Sequence, residues 1–227
     1  MQTMPPLTKR DGVIVLILGE LVGLFAFAIV RELAAAEGAG TLVRGIAAHA
    51  ATLPVLAIGV PLAALSALVI TYLLGKRVNP SIFQFGKFAA VGASNTAIDF
   101  GVLNLLLTPL GLATGNFALA KFLSGMIATL NSFFWNKFWS FDKKEKKHIG
   151  REALTFYAVT GSGLLFNVAI ATTVVTLGPD NEIVPRLVAP AVATGAMAFW
   201  NFFGYKFIVF GKPKGKESPK VAEPSSK

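Results

Sequence analysis

Two charged residues inside long apolar stretches are the side chains of this sequence best placed to do chemistry. Asp99 lies ~12 Å, at helical rise, before the end of one stretch near Leu107. Lys121 lies ~9 Å after the start of the next stretch near Gly115. A charge at the centre of a bilayer costs about 2.5–3.5 kcal/mol, so such a residue usually faces a partner or a wet cavity. Because a turn near Leu110 would bring the two residues to similar depth, we predict that Asp99 and Lys121 approach each other.

This pair has two interpretations. A buried ion pair can simply fix the register of two helices, since pairing alone explains both charges. Alternatively, the two charges form part of a polar site for a ligand. Exchanging the charges separates these hypotheses, because a register-fixing pair keeps its role after the exchange and a ligand site does not.

Amide and hydroxyl side chains add to this polar set. Asn95 lies one helical turn before Asp99, so the two residues share a helix face. Further polar residues at membrane depth are Ser94, Thr96, Asn131 and Asn167. Such residues most often form hydrogen bonds between helices. In the alternative, they line a hydrophilic groove with Asp99 and Lys121, where they replace the water that a polar ligand loses.

The elements that must position these residues are apolar helices. Of the 227 residues, 54% are hydrophobic and 15% are charged, whereas a soluble domain carries about 25% charged residues. The mean hydropathy is +0.62. Six stretches, each long enough to cross a ~30 Å hydrocarbon layer as a helix, run approximately over residues 12–30, 46–74, 85–107, 115–135, 153–177 and 183–205. The sequence therefore predicts an all-α polytopic membrane protein with six transmembrane helices.

Local composition divides and shapes this bundle. We predict a two-helix membrane extension over residues 1–80, a four-helix membrane domain over 81–211 and a disordered basic tail over 212–227. The proline residues Pro54 and Pro61 are expected to kink the second helix. Glycines within the stretches are expected to permit close helix contacts; they include Gly92, Gly101, Gly125, Gly161, Gly163 and Gly195.

Basic residues orient the predicted bundle. If the spans alternate and both ends lie on one side, most of the 21 Lys and Arg residues fall on that side. The positive-inside rule makes that side the cytoplasm. We therefore predict a multi-pass protein of the cell (inner) membrane with both termini in the cytoplasm. A cleaved signal peptide is the alternative for the first stretch, since Lys9 and Arg10 precede it, but this run is long and contains Glu20.

Several function classes lack the residues that they need. The chain has no cysteine, which excludes disulfides and thiolate chemistry, and His49 and His148 stand too far apart to favour a histidine metal site. No phosphate-binding loop of the G-x-x-x-x-G-K-[ST] type and no H-E-x-x-H motif occurs. The net charge of +9 follows the membrane topology, so no nucleic-acid partner is expected. We expect neither an enzyme nor a bound cofactor.

The last four predicted spans form an internal repeat. Phe88–Ala93 aligns with Tyr157–Ser162, and Asn131–Phe138 resembles Asn201–Phe207 with one residue slipped. Each copy is then a helix that leaves the cytoplasm and a returning helix that ends in aromatic residues and a lysine. Because both copies share one orientation, we predict two tandem parallel helical hairpins.

At these residues the sequence resembles the GtrA-like family of small four-helix membrane proteins. The motifs that carry the resemblance are Phe85–Asp99 and Leu130–Phe141, and it covers roughly residues 83–210. It implies a role in cell-surface polysaccharide synthesis, in which such proteins move, or help to present, polyprenyl-phosphate-linked sugars across the membrane. It makes the domain over 81–211 a GtrA-like domain and leaves the role of residues 1–80 open.

The resemblance also implies a ligand for the polar residues. The predicted ligand-binding residues are Asn95, Asp99, Lys121, Asn131, Asn136, Lys137 and Lys206. Lys137 and Lys206 would hold the lipid phosphate at the cytoplasmic ends of the returning helices, where the helix dipole favours a cation. The residues Asn95, Asp99, Lys121 and Asn131 would offer a polar path for the sugar. The alternative for both lysines is an aromatic belt with snorkelling side chains.

The predicted function is therefore flipping of a polyprenyl-phosphate-linked sugar down its gradient, among membrane lipids. Two alternatives stay open. One is a scaffold that recruits a polyprenyl-phosphate glycosyltransferase through the basic loop over residues 142–148 and transports nothing. The other is a proton-coupled exporter of small solutes in which the carboxylate of Glu20 or Asp99 takes up and releases the proton. Each of the three is compatible with an oligomer.

Overall fold

The computed structural model of the chain describes residues 4–35, 40–107, 117–146, 148–179 and 188–211. Within these ranges the regular structure is entirely helical, which confirms the predicted fold class. The α-helices are α1 Lys9–Ala35, α2 Thr41–Ala48, α3 Thr52–Arg77, α4 Ser81–Leu107, α5 Phe117–Trp135, α6 Ile149–Leu177 and α7 Ala189–Gly204. Two π-helical turns follow α5 and α7 directly: π turn 1 is Asn136–Ser140 and π turn 2 is Tyr205–Val209. The predicted turn near Leu110 and the predicted tail over 212–227 lie outside the described residues.

Five helices are long and apolar enough to cross a membrane. They are Lys9–Glu32, Thr52–Arg77, Ser81–Leu107, Phe117–Ser140 and Ile149–Leu177. Large apolar side chains on these helices are widely exposed, as Leu62 (53%) and Leu165 (73%) illustrate, and surfaces of this kind face lipid in membrane proteins. The described part of the predicted sixth span is α7, with 16 residues, and π turn 2. A count of six spans therefore stays a prediction, whereas a multi-pass membrane protein is established.

The second predicted span is wrong in its first six residues, 46–51. The chain forms the short helix α2, leaves the helical conformation at His49 and starts a new helix at Thr52. The Thr52 hydroxyl donates a hydrogen bond to the Ile46 carbonyl, and the Ala51 N–H donates to His49 Nδ1, which stabilises this break. Pro54 consequently lies in the first turn of α3, where a missing N–H is tolerated. Only Pro61 lies in the helix interior.

The chain forms two compact units, residues 1–146 and 147–227. In the first unit, α1 and α3 pack together and against α4. The shared core consists of Ile14, Val15, Leu18, Leu68, Phe83, Val91 and Trp139. Residues of the predicted N-terminal extension therefore bury apolar surface together with the first half of the predicted four-helix domain.

Glycines set the closest helix contacts of the first unit, although not the glycines that we predicted. A Cβ atom added to Gly19 would lie 2.7 Å from Pro61 Cα, and one added to Gly23, a turn later, would collide with the Leu56 carbonyl. Backbones that approach this closely gain dispersion contacts in lipid, where no hydrophobic driving force acts between helices. By contrast, added Cβ atoms would meet nothing within 4 Å at Gly92, Gly101 or Gly125.

The second unit consists of α6, α7 and π turn 2, packed against one another. An added Cβ at Gly204 would clash with Val159, so this glycine allows α7 to approach α6 closely. An added Cβ at Gly163 would clash with the Asn201 side chain of α7, which confirms the prediction for this glycine, whereas one at Gly161 or Gly195 would meet nothing within 4 Å. The Tyr205 ring stacks on Phe156 with centroids 3.9 Å apart, and its hydroxyl lies 2.7 Å from Thr160 Oγ1. These contacts hold the start of π turn 2 against α6.

The contact between α1 and α3 can be tested with a glycine pair. We expect Gly23→Ala to lower the free energy of unfolding by about 1–3 kcal/mol, because the new methyl group must push against a helix backbone. Gly59→Ala, on the open side of α3, should leave stability unchanged or raise it by up to ~1 kcal/mol. Thermal unfolding of the two variants in the same detergent measures the difference, and equal midpoints would contradict the described packing.

Candidate functional site

The two helix pairs end in the same local structure. In each pair a π turn closes with an i→i+5 hydrogen bond, from Phe141 N–H to the Asn136 carbonyl (2.9 Å) and from Phe210 N–H to the Tyr205 carbonyl (2.8 Å). One spacing in the sequence therefore relates Phe88 to Tyr157, Asn136 to Tyr205 and Lys137 to Lys206. The one-residue slip in the predicted alignment is wrong, because by this spacing Asn201 corresponds to Ser132.

Asp99 and Lys121 form an ion pair, which confirms the prediction that they approach each other. Lys121 Nζ lies 2.5 Å from Asp99 Oδ2, and the Ser124 hydroxyl donates a hydrogen bond of 2.6 Å to Asp99 Oδ1. Both partners on α5 thus bind one carboxylate on α4. The side chains are 22% (Asp99) and 45% (Lys121) exposed, so this Asp99 cluster, made of Asp99, Lys121 and Ser124, is accessible from one side.

Buried amide atoms without a hydrogen-bond partner follow the Asp99 cluster along α4 and α5. They are Asn95 Oδ1, Asn131 Nδ2 and Asn136 Oδ1, each unpaired with respect to the residues that the structure describes. At helical rise Asn95 lies ~6 Å from Asp99, and Asn131 lies ~10 Å from Ser124 in the same direction. We call these three amides the amide row. An unpaired buried polar group costs about 1–3 kcal/mol, so the row is chemically complete only with water or a ligand.

Other predicted polar residues are satisfied by their own helices or lie elsewhere. The Ser94 hydroxyl donates to the Val91 carbonyl (2.9 Å), and Thr96 donates to the Gly92 carbonyl (3.4 Å). Asn167 is on α6, in the second unit. Glu20 is half-buried on α1, at an open groove beside Ala57 and Pro61 of α3. Asn95 and Asn131 therefore follow the Asp99 cluster along α4 and α5, whereas Ser94, Thr96, Asn167 and Glu20 are not part of the amide row.

π turn 1 carries the densest set of buried polar side chains. Asn136 is 1% exposed, Ser140 is 3% exposed and Lys137 is completely buried. The Asn136 amide nitrogen donates to Ser132, to the carbonyl at 2.9 Å and to the hydroxyl at 3.2 Å. Its oxygen, like Ser140 Oγ, has no partner among the described residues. Because residues four apart on such a wide turn leave it on nearly the same side, these two unpaired buried groups lie on one side of π turn 1.

The two predicted phosphate-binding lysines differ in their surroundings. Lys137 is buried, with Nζ 5.8 Å from the Phe138 ring centroid, so a snorkelling lysine does not describe it. Lys206 is half-buried, and its Nζ lies 5.7 Å and 5.8 Å from the ring centroids of Phe202 and Phe207. That arrangement fits a lysine among aromatic rings at a membrane boundary.

A second charge cluster, which unlike the Asp99 cluster is buried, was not predicted. Asp11, on α1, is 4% exposed, and its Oδ1 lies 2.5 Å from Lys87 Nζ and accepts a hydrogen bond of 2.9 Å from Trp139 Nε1. Its Oδ2 accepts from the Thr8 backbone N–H (2.9 Å) and hydroxyl (2.7 Å). Lys87 Nζ also lies 4.5 Å from the Phe83 ring centroid. We call Thr8, Asp11, Lys87 and Trp139 the Asp11 cluster.

Part of the Asp11 cluster was visible in the sequence. Thr8 and Asp11 have the spacing of a capping box, in which the side chain of the first residue and that of the residue three later bond reciprocally to each other's backbone. The Thr8 hydroxyl accepts from the Asp11 N–H (3.2 Å), which completes this box at the start of α1. The pairing with Lys87 and Trp139 joins distant parts of the chain and has no local pattern. The sequence therefore places Lys87 only among the basic residues that indicate the cytoplasmic side.

The Asp99 and Asp11 clusters lie toward opposite ends of α4. Lys87 and Asp99 are ~18 Å apart at helical rise, with the amide row between the levels of these two residues. α4 contacts Trp139 of π turn 1 near one end and Lys121 of α5 near the other, so α4 and α5 run antiparallel. The first unit therefore presents polar groups over more than half of a ~30 Å hydrocarbon layer.

Comparison with known proteins places this chain in a family. The model of the GtrA/DPMS transmembrane domain matches residues 87–210. An uncharacterized membrane protein of Bacillus subtilis (strain 168), YngA, is 32% identical over 132 residues, which are 57% of this chain and 81% of that protein. No solved structure gives a significant match. The matched residues include the Asp99 cluster, the amide row and both π turns, and the chain belongs to the GtrA/DPMS transmembrane-domain family.

Proposed function

We propose that this protein flips a polyprenyl-phosphate-linked sugar across the membrane for cell-surface glycan synthesis and catalyses no covalent step. The observation that carries the proposal is the amide row. Its three buried polar atoms have no partner among the described residues, and they continue a line from a half-exposed ion pair to a buried lysine. A polar headgroup that enters hydrocarbon needs such groups, because each hydroxyl stripped of water costs several kcal/mol.

The phosphate would bind at π turn 1. Lys137 supplies a buried cation, and Ser140 supplies a hydroxyl whose oxygen is unpaired among the described residues. A charge-assisted hydrogen bond is about twice as strong as a neutral one, and the C-terminal end of α5 has a partial negative charge that keeps a cation nearby. Lys206 would play the corresponding part in the second helix pair.

The sugar would then pass along the amide row. A sugar hydroxyl can both donate and accept, so it can satisfy the oxygen of Asn95 and the nitrogen of Asn131 alike. At the other end, Lys121 is half-exposed and held in place by Asp99, so its ammonium is accessible to an arriving phosphate. The prenyl chain would stay in lipid, against the exposed apolar faces of the helices.

Membrane orientation is part of this proposal. We propose that the chain lies in the cell (inner) membrane with π turn 1 and both termini toward the cytoplasm, since the basic residues concentrate at that end. With no evident energy source, the direction of flipping would follow the substrate gradient that enzymes on the two sides maintain.

The orientation can be tested by single cysteines, because the natural chain has none. Glu32→Cys and Lys144→Cys replace exposed residues on opposite predicted sides. We expect a membrane-impermeant maleimide to label the first variant in intact spheroplasts and the second only after permeabilisation. The unmodified protein is the control for background labelling, and the reverse pattern would invert the proposed topology.

The amide row can be tested against an amide outside it. Asn104 is an exposed residue of α4 whose side chain donates to the Phe100 carbonyl of its own helix (2.9 Å). In proteoliposomes with a fluorescent polyprenyl-phosphate sugar, we expect Asn95→Ala and Asn131→Ala each to slow flipping about tenfold, the effect of one lost headgroup hydrogen bond. Asn104→Ala should flip at the unmodified rate.

Two outcomes of that assay would reject the proposal. If correctly folded unmodified protein moves no more lipid than empty liposomes, it is not a flippase for this substrate. The basic loop with the half-buried Lys143 and the exposed Lys144 and Lys146 would then favour a scaffold. Capture of a polyprenyl-phosphate glycosyltransferase that is lost on neutralising this loop would support it. If all three alanine variants flip equally, the amide row is not the path.

The Asp99 cluster can be tested by exchanging its charges. In the double variant Asp99→Lys with Lys121→Asp, an ion pair that only fixes helix register is restored. We expect instead a folded protein with more than tenfold slower flipping, because the cation would then lie on α4, away from its place beside the path. A rate equal to that of the unmodified protein would assign the pair to helix packing alone.

A further inference from the structure

The N-terminal helix α1 lies outside the residues that match the family, yet it supplies a carboxylate to two residues inside them. We propose that Asp11 is a positioning residue for the headgroup-binding surface of π turn 1. The proposal rests on the proposed function, and it gives residues 1–80 a role in that function. It concerns only the first unit of the chain, where α1, α4, α5 and π turn 1 are all found.

The geometry of Asp11 divides its two oxygens between two tasks. Oδ2 is held by the backbone and hydroxyl of Thr8, so the carboxylate is fixed to the start of its own helix. Oδ1 is held by Lys87 Nζ and Trp139 Nε1, so the same carboxylate is fixed to α4 and to π turn 1. Because a carboxylate is rigid and all four contacts are within hydrogen-bond distance, these three elements share one fixed point.

Trp139 transmits this position to the turn. It is the fourth residue of π turn 1 and directly precedes Ser140, and its ring lies in the core beside Ile14, Val15 and Leu18 of α1. With the indole held on one side of the turn, Asn136 and Ser140 leave the turn in a defined direction. Their unpaired oxygens therefore face a ligand in one arrangement instead of several, which lowers the entropy lost on binding.

The second helix pair shows that a π turn does not require this device. By the spacing that relates the two turns, Lys87 corresponds to Phe156 and Trp139 corresponds to Ile208, which is 62% exposed. There the turn is held by ring stacking of Tyr205 on Phe156. The charged contact is therefore a special property of the turn that carries the unpaired Asn136 and Ser140.

Stability alone does not explain why a charged contact is used. Replacing a buried ion pair with apolar residues of similar volume is often neutral or stabilising. What the charged contact adds is direction, since an ion pair and an indole hydrogen bond are satisfied in one geometry, whereas apolar packing tolerates several. A requirement for fixed direction at this place is what a binding surface on π turn 1 would impose.

The experiment uses two nearly isosteric or aromatic-conserving substitutions in the Asp11 cluster and one matched control, all in the full-length protein. Trp139→Phe removes the N–H donor and keeps an aromatic ring, and Asp11→Asn keeps the shape and removes the charge. Gly23→Ala loosens the same helix α1 at its contact with α3, away from the cluster, and thus reproduces a loss of stability without touching the turn. Flipping of the fluorescent lipid is measured as a function of its concentration, and amide hydrogen exchange is measured over residues 136–143.

We expect Trp139→Phe and Asp11→Asn to raise the half-saturating lipid concentration about tenfold, as loss of one charge-assisted hydrogen bond does, with little change in the maximal rate. The double variant should be no worse than Asp11→Asn alone, because that substitution already weakens the contact that Trp139→Phe removes. Exchange at the Phe141 and Lys143 amides, which close the turn onto Asn136 and Lys137, should become faster. Asp11→Glu should recover part of the affinity, and Gly23→Ala should change the melting temperature but neither readout.

Two results would overturn the role of Asp11: unchanged exchange and lipid affinity in both variants, or the same loss of affinity in Gly23→Ala. If the unmodified protein neither binds nor flips the lipid, the proposed function itself fails. The exchange measurement then decides by itself whether Asp11 holds the turn, so the two failures are distinguishable.

Discussion

A carboxylate that is 4% exposed in a helical bundle must have its charge balanced and its lone pairs occupied. Asp11 meets this demand with donors from three elements: Thr8 at the start of α1, Lys87 on α4 and Trp139 in π turn 1. Leaving one ion of a buried pair without its partner costs about 3–5 kcal/mol, which is a large part of the stability of most proteins. The positions of these three elements are therefore coupled, and the polar groups that follow along α4 and α5 start from an end that is fixed.

The two helix pairs end in the same kind of turn and differ in the side chains that they hold at membrane depth. By the spacing that relates the two π turns, the residues Asp99, Lys121 and Ser124 correspond to Val168, Pro190 and Ala193. The first pair thus holds an ion pair at membrane depth where the second is apolar. Shared aromatic stacking, Phe134 on Phe138 and Phe203 on Phe207, preserves the ends of both pairs. The ion pair is thus found in the first pair, whereas the aromatic stacking is common to both.

The sequence predicted features that depend on residues close by in the chain, or on a large free-energy cost of leaving polar groups unsatisfied in lipid. Apolar stretches must become helices in lipid because no water forms hydrogen bonds with the backbone. The free-energy cost of a lone charge in hydrocarbon was sufficient to predict that Asp99 pairs with Lys121. The break at His49 was missed because it rests on two local side-chain hydrogen bonds, made by Thr52 and His49, inside an otherwise continuous apolar stretch. The partners of Asp11 were missed because they are set by tertiary packing. Similarly, glycine content did not reveal that Gly19 and Gly23, and not Gly92, lie against another backbone.

The boundary of the family match passes through a buried charge pair, and this limits how the protein can be recombined. The match begins at Lys87, whose ammonium group is neutralised by a side chain from an earlier helix. A chimera that transplants only residues 87–210 would carry an orphan cation into a new host. Any successful graft has to bring a counterion with it or exchange the lysine for an apolar residue. The segment that matches the family is thus shorter than the segment that contains both members of this charge pair.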